Sequence, residues 1–395
     1  MKKRVIIAAL IFVFAFSAEV IAGDVRGVTD TEVTIGITLP MSGPAAVWGA
    51  LGKGSKAWAD YINDQGGIHG RKIKVLMKDD AYNPTRAMAN LQAFKDQVFA
   101  VNLLVGTPAA SVAKNFFAEN KIPLIIAFAA LDAWTSLPKE KRCYIFTTTP
   151  DYKDEGSFQA DYAAKELGSK KIAIFYMNND FGKLHVTGVK DALKAMAGKA
   201  ELTGAVPYEV VERALGSHAF KLKESGADAV ILAATPLHGS LIVKEMAKIG
   251  YRPKLLSSMV LSDPVMFRLA GDLWEGTYVV LPGFSGVMGD PASDKILDII
   301  LKYEPKLKRA ERMALDGAIG MMHLVQGLKN AGRNLTPETL ILGMEEIKDW
   351  RPQGIGANVT YGPDRHQGNN AMSMGRAKNG TIVPLTDWTY FKTYF

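Results

Sequence analysis

Residues 98–126 read VFAVNLLVGTPAASVAKNFFAENKIPLII, and this stretch determines the predicted fold. The apolar runs Val98–Val105 and Ile122–Ile126 have the length of buried strands, and Ala109–Asn120 between them has the period of a helix. Strands that are apolar on both faces are typical of parallel sheets. A strand, a helix and a second strand in this order therefore predict a parallel pair joined by a right-handed crossover.

The same alternation continues on both sides of this stretch. Before it, we predict strands at Glu32–Leu39 and Lys72–Met77, a helix at Ala45–Asn63, and another helix after the N-cap Asn83-Pro84. A second set of strands follows: Tyr144–Thr148, Lys171–Tyr176, Ala205–Tyr208, Asp228–Ala233 and Lys254–Ser257. Near the end, Asn379-Gly380 predicts a type I′ hairpin turn. The predicted fold class is α/β, with two lobes built on parallel sheets.

The composition excludes several classes of protein. The chain has 395 residues, 47 Lys and Arg against 40 Asp and Glu, one Cys, and 48% apolar residues, close to globular averages. One Cys excludes a disulfide scaffold, and we read Cys143 as a structural residue. The chain has no block of five or six basic residues, so we predict no nucleic-acid partner.

The first residues have the pattern of an export signal. Met1–Arg4 is basic, Val5–Phe16 is apolar, and Val20–Ala22 offers small residues for cleavage. The apolar stretch is well short of the roughly 20 residues of a spanning helix. We therefore predict a cleavable signal peptide at residues 1–22.

Patterns typical of catalysis, metal binding and nucleotide binding are missing from the sequence. The six histidines lack metal-site spacing, and neither His-Glu-x-x-His nor Gly-x-Ser-x-Gly occurs. The glycines of Gly49–Ser55 do not form a phosphate loop, because Gly54 separates Lys53 from Ser55. Asp79 and Asp80 fit a turn better than a catalytic pair. We predict no enzyme activity, no cofactor and no metal.

Several motifs together resemble a known family. They are Ile35–Pro44 (IGITLPMSGP), Trp48-Gly49, Asp64–Ile73 (DQGGIHGRKI) and Asp79–Pro84, followed by Asn179–Gly182, Ala234–Pro236 and the C-terminal hairpin. This set resembles the leucine/isoleucine/valine-type periplasmic solute-binding proteins of ABC importers, and the resemblance covers essentially the whole mature chain.

The resemblance implies the type I periplasmic-binding fold, in which two Rossmann-like lobes are joined by three crossings and close over a ligand. We expect the crossings near Pro150, Pro282 and Pro352. The N-terminal lobe would then contain residues 30–150 and 283–351, and the C-terminal lobe residues 151–282 and 353–395. A periplasmic monomer that delivers its ligand to a membrane permease is also implied.

The site residues are transferred from the family's motifs one position at a time. The aromatic after Ser-Gly-Pro corresponds to Trp48, and a backbone amide and hydroxyl for the ligand carboxylate correspond to Gly106 and Thr107. Ala130 and Asp132 lie nearest to the position that holds an α-ammonium. The remaining predicted site residues are Ser42, Phe181, Thr235 and Met259. In open α/β sheets such loops follow the carboxyl ends of the strands, where ligands bind.

The identity of the ligand stays open between two classes. Amino-acid binders of this family present an acid near Ser258-Met259, but the sequence has none before Asp263. Either Asp132 replaces that acid as the partner of an ammonium, or the ligand is an amine-free aromatic or aliphatic carboxylate. In the second case its body would be covered by aromatic and apolar side chains: Trp48, Phe128, Trp134, Phe181 and Met259.

Two other functions remain as alternatives. The same fold could serve as a ligand-sensing module that feeds a signalling partner. An NAD-dependent dehydrogenase also has two α/β lobes, but Gly-x-Gly-x-x-Gly is missing after the first strand.

Overall fold

The computed structural model describes residues 25–287, 289–307 and 312–395. The predicted signal peptide, residues 1–22, lies outside them. The described strands are β1 Glu32–Leu39, β2 Lys72–Asp79, β3 Ala100–Val105, β4 Leu124–Phe128, β5 Ile145–Phe146, β6 Lys171–Met177, β7 Glu201–Tyr208, β8 Ala229–Ala233, β9 Lys254–Ser257, β10 Tyr278–Pro282, β11 Ala371–Lys378, β12 Thr381–Pro384 and β13 Thr389–Tyr390.

Fourteen α-helices in the described residues separate or follow these strands. They are α1 Gly49–Asp64, α2 Pro84–Phe94, α3 Thr107–Ala113, α4 Phe116–Glu119, α5 Asp132–Thr135, α6 Lys139–Arg142, α7 Tyr152–Lys165, α8 Asp180–Ala195, α9 Gly216–Glu224, α10 Pro236–Lys248, α11 Val265–Ala270, α12 Pro291–Tyr303, α13 Arg312–Ala331 and α14 Pro337–Glu345. The helix predicted at Ala45–Asn63 begins as a 3-10 turn, Gly43–Trp48, before α1.

Each lobe is built on its own sheet. The first sheet has the order β2-β1-β3-β4-β5, and all of its pairs are parallel. The second has the order β12-β11-β10-β9-β8-β6-β7, and β13 also pairs with β11. Strands β6 to β10 pair in parallel, whereas β11 is antiparallel to β10, β12 and β13. The predicted α/β fold with two parallel sheets is confirmed.

Local signals explain several element boundaries. Asn83 caps α2, because its side chain accepts hydrogen bonds from the amides of Thr85 and Arg86. The predicted hairpin is also confirmed, since Asn379 and Gly380 have φ angles of 51° and 79° between β11 and β12. Positive φ at both central residues is what a type I′ turn requires.

The three segments that connect the lobes hydrogen-bond to one another. The amide of Gly368 donates to the carbonyl of Thr147 at 2.8 Å, and that of Gly283 to Ala371 at 2.7 Å. The Gln367 side chain donates to the Thr149 carbonyl at 3.0 Å. The connections therefore form one bonded unit at the side of the cleft.

The last connection runs later in the chain than the predicted crossing near Pro352. Ile355, Val359 and Tyr361 are buried in the core of the first lobe, and the chain enters the second sheet only at Ala371. These apolar side chains extend the first core beyond Pro352. The exact limits of the two lobes stay a prediction.

The glycines of α1 serve helix packing. A Cβ atom at Gly54 would overlap the carbonyl oxygen of Ala314 in α13, and one at Gly317 would overlap the carbonyl oxygen of Leu51. The two backbones can approach this closely only where side chains are missing. The glycine-rich stretch at Gly49–Ser55 is thus a helix-packing surface, which supports the structural interpretation over a phosphate loop.

Candidate functional site

A cavity lies between the two lobes, beyond the carboxyl ends of the strands. About 600 Å³ of its interior is free of protein atoms, a figure that includes space open to solvent. The lining is largely apolar and comes from both lobes: Trp48, Leu51, Tyr82, Val105, Gly106, Thr107, Phe128, Thr149, Tyr152, Phe181, Met259, Val260, Pro282, Phe284, Arg312, Met313 and Asp316.

The first-lobe wall is formed by the loops after β1, β2 and β3. Ala81 and Tyr82 both have positive φ, of 51° and 60°, and this turn brings the Tyr82 ring against Trp48, with ring centroids 5.5 Å apart. Gly106 follows β3 with a φ of 111°. A Cβ atom there would lie 2.7 Å from the Tyr82 ring, so the wall requires glycine at this position.

Asp79 and Asp80 hold this turn in place. Asp79 Oδ1 accepts hydrogen bonds from the amides of Met41 and Ala81, both at 2.8 Å. Asp80 accepts from the Tyr82 amide at 2.9 Å and from the Thr38 hydroxyl at 3.1 Å. Both carboxylates therefore position the loops that carry the aromatic wall.

The Asp80 carboxyl also links stability to pH. Burial raises its pKa from 3.8 to about 6, with a further rise from the charge of Asp79. The folded state then binds this proton more tightly than the unfolded chain, so its contribution to stability grows as the pH falls through 6 and is lost as the pH rises.

We expect wild type to gain about 1.4 kcal/mol of unfolding free energy relative to Asp80→Asn between pH 8 and pH 5. Urea unfolding of both proteins at the two pH values measures this difference. The exposed Asp387→Asn variant is the control, and it should follow wild type. Parallel pH profiles for wild type and Asp80→Asn would contradict the prediction.

The second-lobe wall rests on a buried pair, Glu155 and His185. Glu155 accepts hydrogen bonds from the Met259 amide at 2.6 Å and the Ser258 hydroxyl at 3.1 Å, and contacts His185 Nε2 at 2.9 Å. His185 Nδ1 donates to the Phe181 carbonyl at 2.8 Å, because a carbonyl only accepts. This network holds Phe181 and Met259 at the cavity.

Tyr152 and the two phenylalanines beside the connections complete the apolar lining. The Tyr152 ring packs edge-on against Phe181, with centroids 4.7 Å apart. Phe128 and Phe284 contact each other with centroids 5.0 Å apart. An apolar ligand body would thus be enclosed by aromatic faces and edges from both lobes.

The Thr107 hydroxyl is the polar group at the end of β3. Its oxygen accepts a hydrogen bond from the Ala130 amide at 3.1 Å, and Thr107 is 4% exposed. Among the described residues, its own hydrogen has no protein acceptor. The hydroxyl can therefore donate a hydrogen bond to a ligand in the cavity.

A charged pair forms another part of the lining. Arg312 Nη1 donates to both oxygens of Asp316, at 3.0 and 2.8 Å. Burial raises the pKa of Asp316 to about 6, although the neighbouring guanidinium opposes the rise. Among the described lining residues, Asp316 is the only one with a carboxylate, and Arg312 neutralises it.

Five of the nine predicted site residues line the cavity. They are Trp48, Gly106, Thr107, Phe181 and Met259. Of the aromatics that were predicted to cover the ligand body, Phe128 lines the cavity as well, whereas Trp134 is fully buried against Phe117 in the first-lobe core. The ligand contacts of all these residues stay a prediction.

The other four predicted residues lie outside the lining. The Ser42 hydroxyl is exposed and donates to Asp79 at 2.6 Å. Thr235 is fully buried, and its hydroxyl is occupied, since it caps α10 and contacts His238 Nδ1 at 2.7 Å.

Ala130 and Asp132 follow β4, and neither is among the residues that line the cavity. Ala130 is buried, and its amide is used to hold Thr107. Asp132 is exposed at the start of α5. Partial burial and the charge of Asp180 raise the pKa of Asp132. Asp132 therefore provides no carboxylate in the cavity for an ammonium.

The sequence analysis missed Tyr82, Tyr152, Phe284 and the Arg312–Asp316 pair. Arg312 and Asp316 had a signal in the sequence, because two opposite charges four residues apart interrupt the otherwise apolar first half of α13. The sequence signal for Tyr82 was weaker: this residue lies in a turn between the two acids Asp79 and Asp80 and the dipeptide Asn83-Pro84. Nothing in the sequence indicates that Tyr152 or Phe284 faces the cleft.

Residues 25–287, 289–307 and 312–395 lack two features that would point to other functions. They contain no group of three or more His, Cys, Asp or Glu side chains that could hold a metal ion. None of their helices has both the length and the apolar character needed to cross a membrane.

Comparison with known families decides the classification. A family model described as periplasmic binding protein matches residues 32–381. The chain belongs to the periplasmic binding protein family. The resemblance seen in the motifs is thus confirmed, and the two-lobed fold with an interlobe cavity is the architecture expected of a periplasmic binding protein.

Individual proteins similar to this periplasmic binding protein include curated relatives and solved structures. The Leu/Ile/Val-binding protein homolog 3 of Brucella melitensis is 26% identical over 306 residues, which cover 76% of this chain and 80% of that protein. A fatty acid ABC transporter substrate-binding protein from Thermomonospora curvata is 21% identical, with a TM-score of 0.83 and coverage of 94% and 96%.

A branched chain amino acid ABC transporter structure from Thermus thermophilus with bound valine is 18% identical, with a TM-score of 0.81. The match covers 93% of this chain and 98% of that one. At these identities the two structures establish a shared fold.

Proposed function

We propose that this periplasmic binding protein is a non-enzymatic, exported receptor that delivers a small solute to the permease of an ABC importer. Family membership and the cavity between two lobes support this function. The names of its relatives, which refer to Leu/Ile/Val binding and to ABC transport of fatty acids, support it as well. Hinge closure over the cleft would enclose the solute.

The proposed ligand is a carboxylate with an apolar aromatic or aliphatic body. The observation that supports this proposal is the lining: six of its seventeen residues are aromatic, and its only carboxylate, among the described residues, is paired with Arg312. A free α-ammonium would then lose its water without gaining an unpaired acid, which is costly in a low-dielectric site. An amine-free acid avoids that cost.

Thermal unfolding of the mature protein with a ligand panel tests this function. The panel contains leucine, phenylalanine, benzoate, trans-cinnamate and hexanoate, each with its amide. A ligand at 100 times its Kd should stabilise the fold by about 2.7 kcal/mol, which raises the Tm by several degrees. We expect the largest shifts with amine-free acids. Shifts with leucine alone would contradict the ligand class, and no shift with any compound would contradict the receptor function for such solutes.

A threonine variant tests the hydroxyl in the cavity. Thr107→Val should weaken binding of the best panel acid by about 1–3 kcal/mol, because a charged acceptor loses a donor. It should also lower stability, since the Ala130 amide loses its buried acceptor. Thr107→Ser should restore both, and the exposed Thr187→Val should change neither. Calorimetric titration of the folded variants measures the effect, and equal affinities for Thr107→Val and wild type would remove Thr107 from the site.

A further inference from the structure

The guanidinium of Arg312 is buried in the wall of the cavity. Its side chain is 2% exposed, and among the described residues it is the only basic group that lines the cavity. A buried charge needs both a counter-charge and hydrogen-bond partners. The counter-charge is Asp316, so the remaining question is where the other hydrogens of Arg312 point.

The hydrogen bonds of Arg312 leave a donor unused. Nε donates to the Ser262 carbonyl at 3.1 Å, Nη1 to Asp316, and Nη2 to the Ser262 hydroxyl. A guanidinium has five N–H groups, and these contacts use four at most. At least one hydrogen on Nη2 thus has no protein acceptor among the described residues. Because buried donors are normally paired, this one indicates an acceptor that belongs to a ligand.

The same guanidinium joins the two lobes. Arg312 begins α13, which packs in the first lobe against α1, whereas Ser262 lies in the second lobe after β9. Next to this contact, the Met313 amide donates to Asp263 of the second lobe at 2.8 Å. Arg312 therefore takes part both in the cavity wall and in a contact between the lobes.

We propose that Arg312 binds the anionic group of the ligand and that this interaction is coupled to lobe closure through Ser262. The inference rests on the proposed receptor function and deepens it, because it assigns recognition of the carboxylate to a cation rather than to an acid that pairs with an ammonium. The free Nη2 hydrogen would donate one charge-assisted hydrogen bond to a carboxylate oxygen, and such bonds are stronger than those between neutral groups. Asp316 keeps the guanidinium in place and limits how strongly it attracts an anion.

Matched pairs of probes separate charge recognition from apolar contact. We would measure the Kd of trans-cinnamate against trans-cinnamamide, and of leucine against leucinamide, for wild type and for variants of Arg312. Wild type should bind the acid of at least one pair about tenfold tighter than its amide, as expected for a hydrogen bond to a charged group. In Arg312→Gln this ratio should fall to about one. Arg252→Gln, an exposed position remote from the cleft, should keep the wild-type ratio.

Two further variants separate a loss of anion binding from a folding defect. Arg312→Gln leaves Asp316 unpaired, so the double variant Arg312→Gln/Asp316→Asn removes both charges and should also bring the ratio to about one. Asp316→Asn alone should raise the ratio above that of wild type, because the guanidinium is no longer neutralised. A residue that only supports the fold would not produce this opposite response.

The outcomes distinguish the inference from the proposed function. A ratio that stays at the wild-type value in the folded double variant would overturn the role of Arg312, while the receptor function would stand. If only leucine binds, the amine-free ligand class is wrong, and the leucine and leucinamide pair still tests Arg312. If no acid binds wild type, both the receptor function for carboxylates and the anion role of Arg312 are overturned.

Discussion

Gly54→Ala is expected to lower the free energy of unfolding by about 3 kcal/mol, near the upper end of the usual cost of overpacking a core. The added methyl group would overlap the carbonyl oxygen of Ala314, so α1 and α13 would have to move apart. Both helices belong to the core of the first lobe, and neither backbone can turn away as a flexible side chain could. Urea unfolding of the purified variant, followed by circular dichroism, measures the loss.

The sign of the stability change distinguishes a close helix contact from helix propensity. Helix propensity alone predicts that alanine in place of a helical glycine stabilises a protein by about 1 kcal/mol. Lys53→Ala at the neighbouring exposed position is the control, and it should change stability by less than about 0.5 kcal/mol. Gly317→Ala on the facing helix should reproduce the loss, because its Cβ would overlap the Leu51 carbonyl oxygen. A Gly54→Ala protein as stable as wild type would contradict the close helix contact.

Gly106→Ala is expected to reduce ligand affinity about 100-fold, because it deforms the wall of the cavity. The new Cβ atom would lie 2.7 Å from the Tyr82 ring, and the φ of 111° is one that alanine rarely adopts. To avoid this contact, either the Tyr82 ring, which packs against Trp48, or Thr107 at the start of α3 would have to move. In enzymes, misplacement of active-site groups by about 1 Å can cost about 100-fold in rate, and we expect a loss of similar size in affinity here.

Calorimetric titration with the acid that shifts the Tm of wild type most measures this loss. The control is Gly168→Ala, because Gly168 also has a positive φ, of 63°, but a Cβ atom there would meet nothing within 4 Å. Gly168→Ala should lower the free energy of unfolding and leave the ligand affinity unchanged. Comparable affinities for Gly106→Ala and Gly168→Ala would show that the loop after β3 does not shape the ligand site.

Much of the fold was predictable because it depends on short-range patterns. The all-apolar segment Ala229–Ala233 became β8 with every residue buried, as expected of a central parallel strand. Asn379-Gly380 determined the hairpin turn through its tolerance of positive φ. The end of the first lobe was less predictable, because Val359 and Tyr361 join a core whose other members are distant in sequence.

Some residues of the candidate site were likewise predictable from the sequence, and others were not. Trp48, Thr107 and Phe181 follow strand ends at positions that motifs identify, and they line the cavity. Ser42 and Thr235 carry equally suitable hydroxyl groups after strand ends, but Asp79 and His238 bind them. Which hydroxyl remains available to a ligand depends on partners that the local sequence does not reveal.

The sequence by itself determined the fold class, the family and the edge of the sheets at which the site lies, because periodicity, turn chemistry and motifs are local properties of the chain. Only the tertiary structure decided which residues meet across the cleft. Arg312 lies far in sequence from Ser262, and only the packing of the two lobes brings its guanidinium into contact with that residue at the cavity wall. The charge balance of the site, and with it the proposed preference for a carboxylate, follows from that packing.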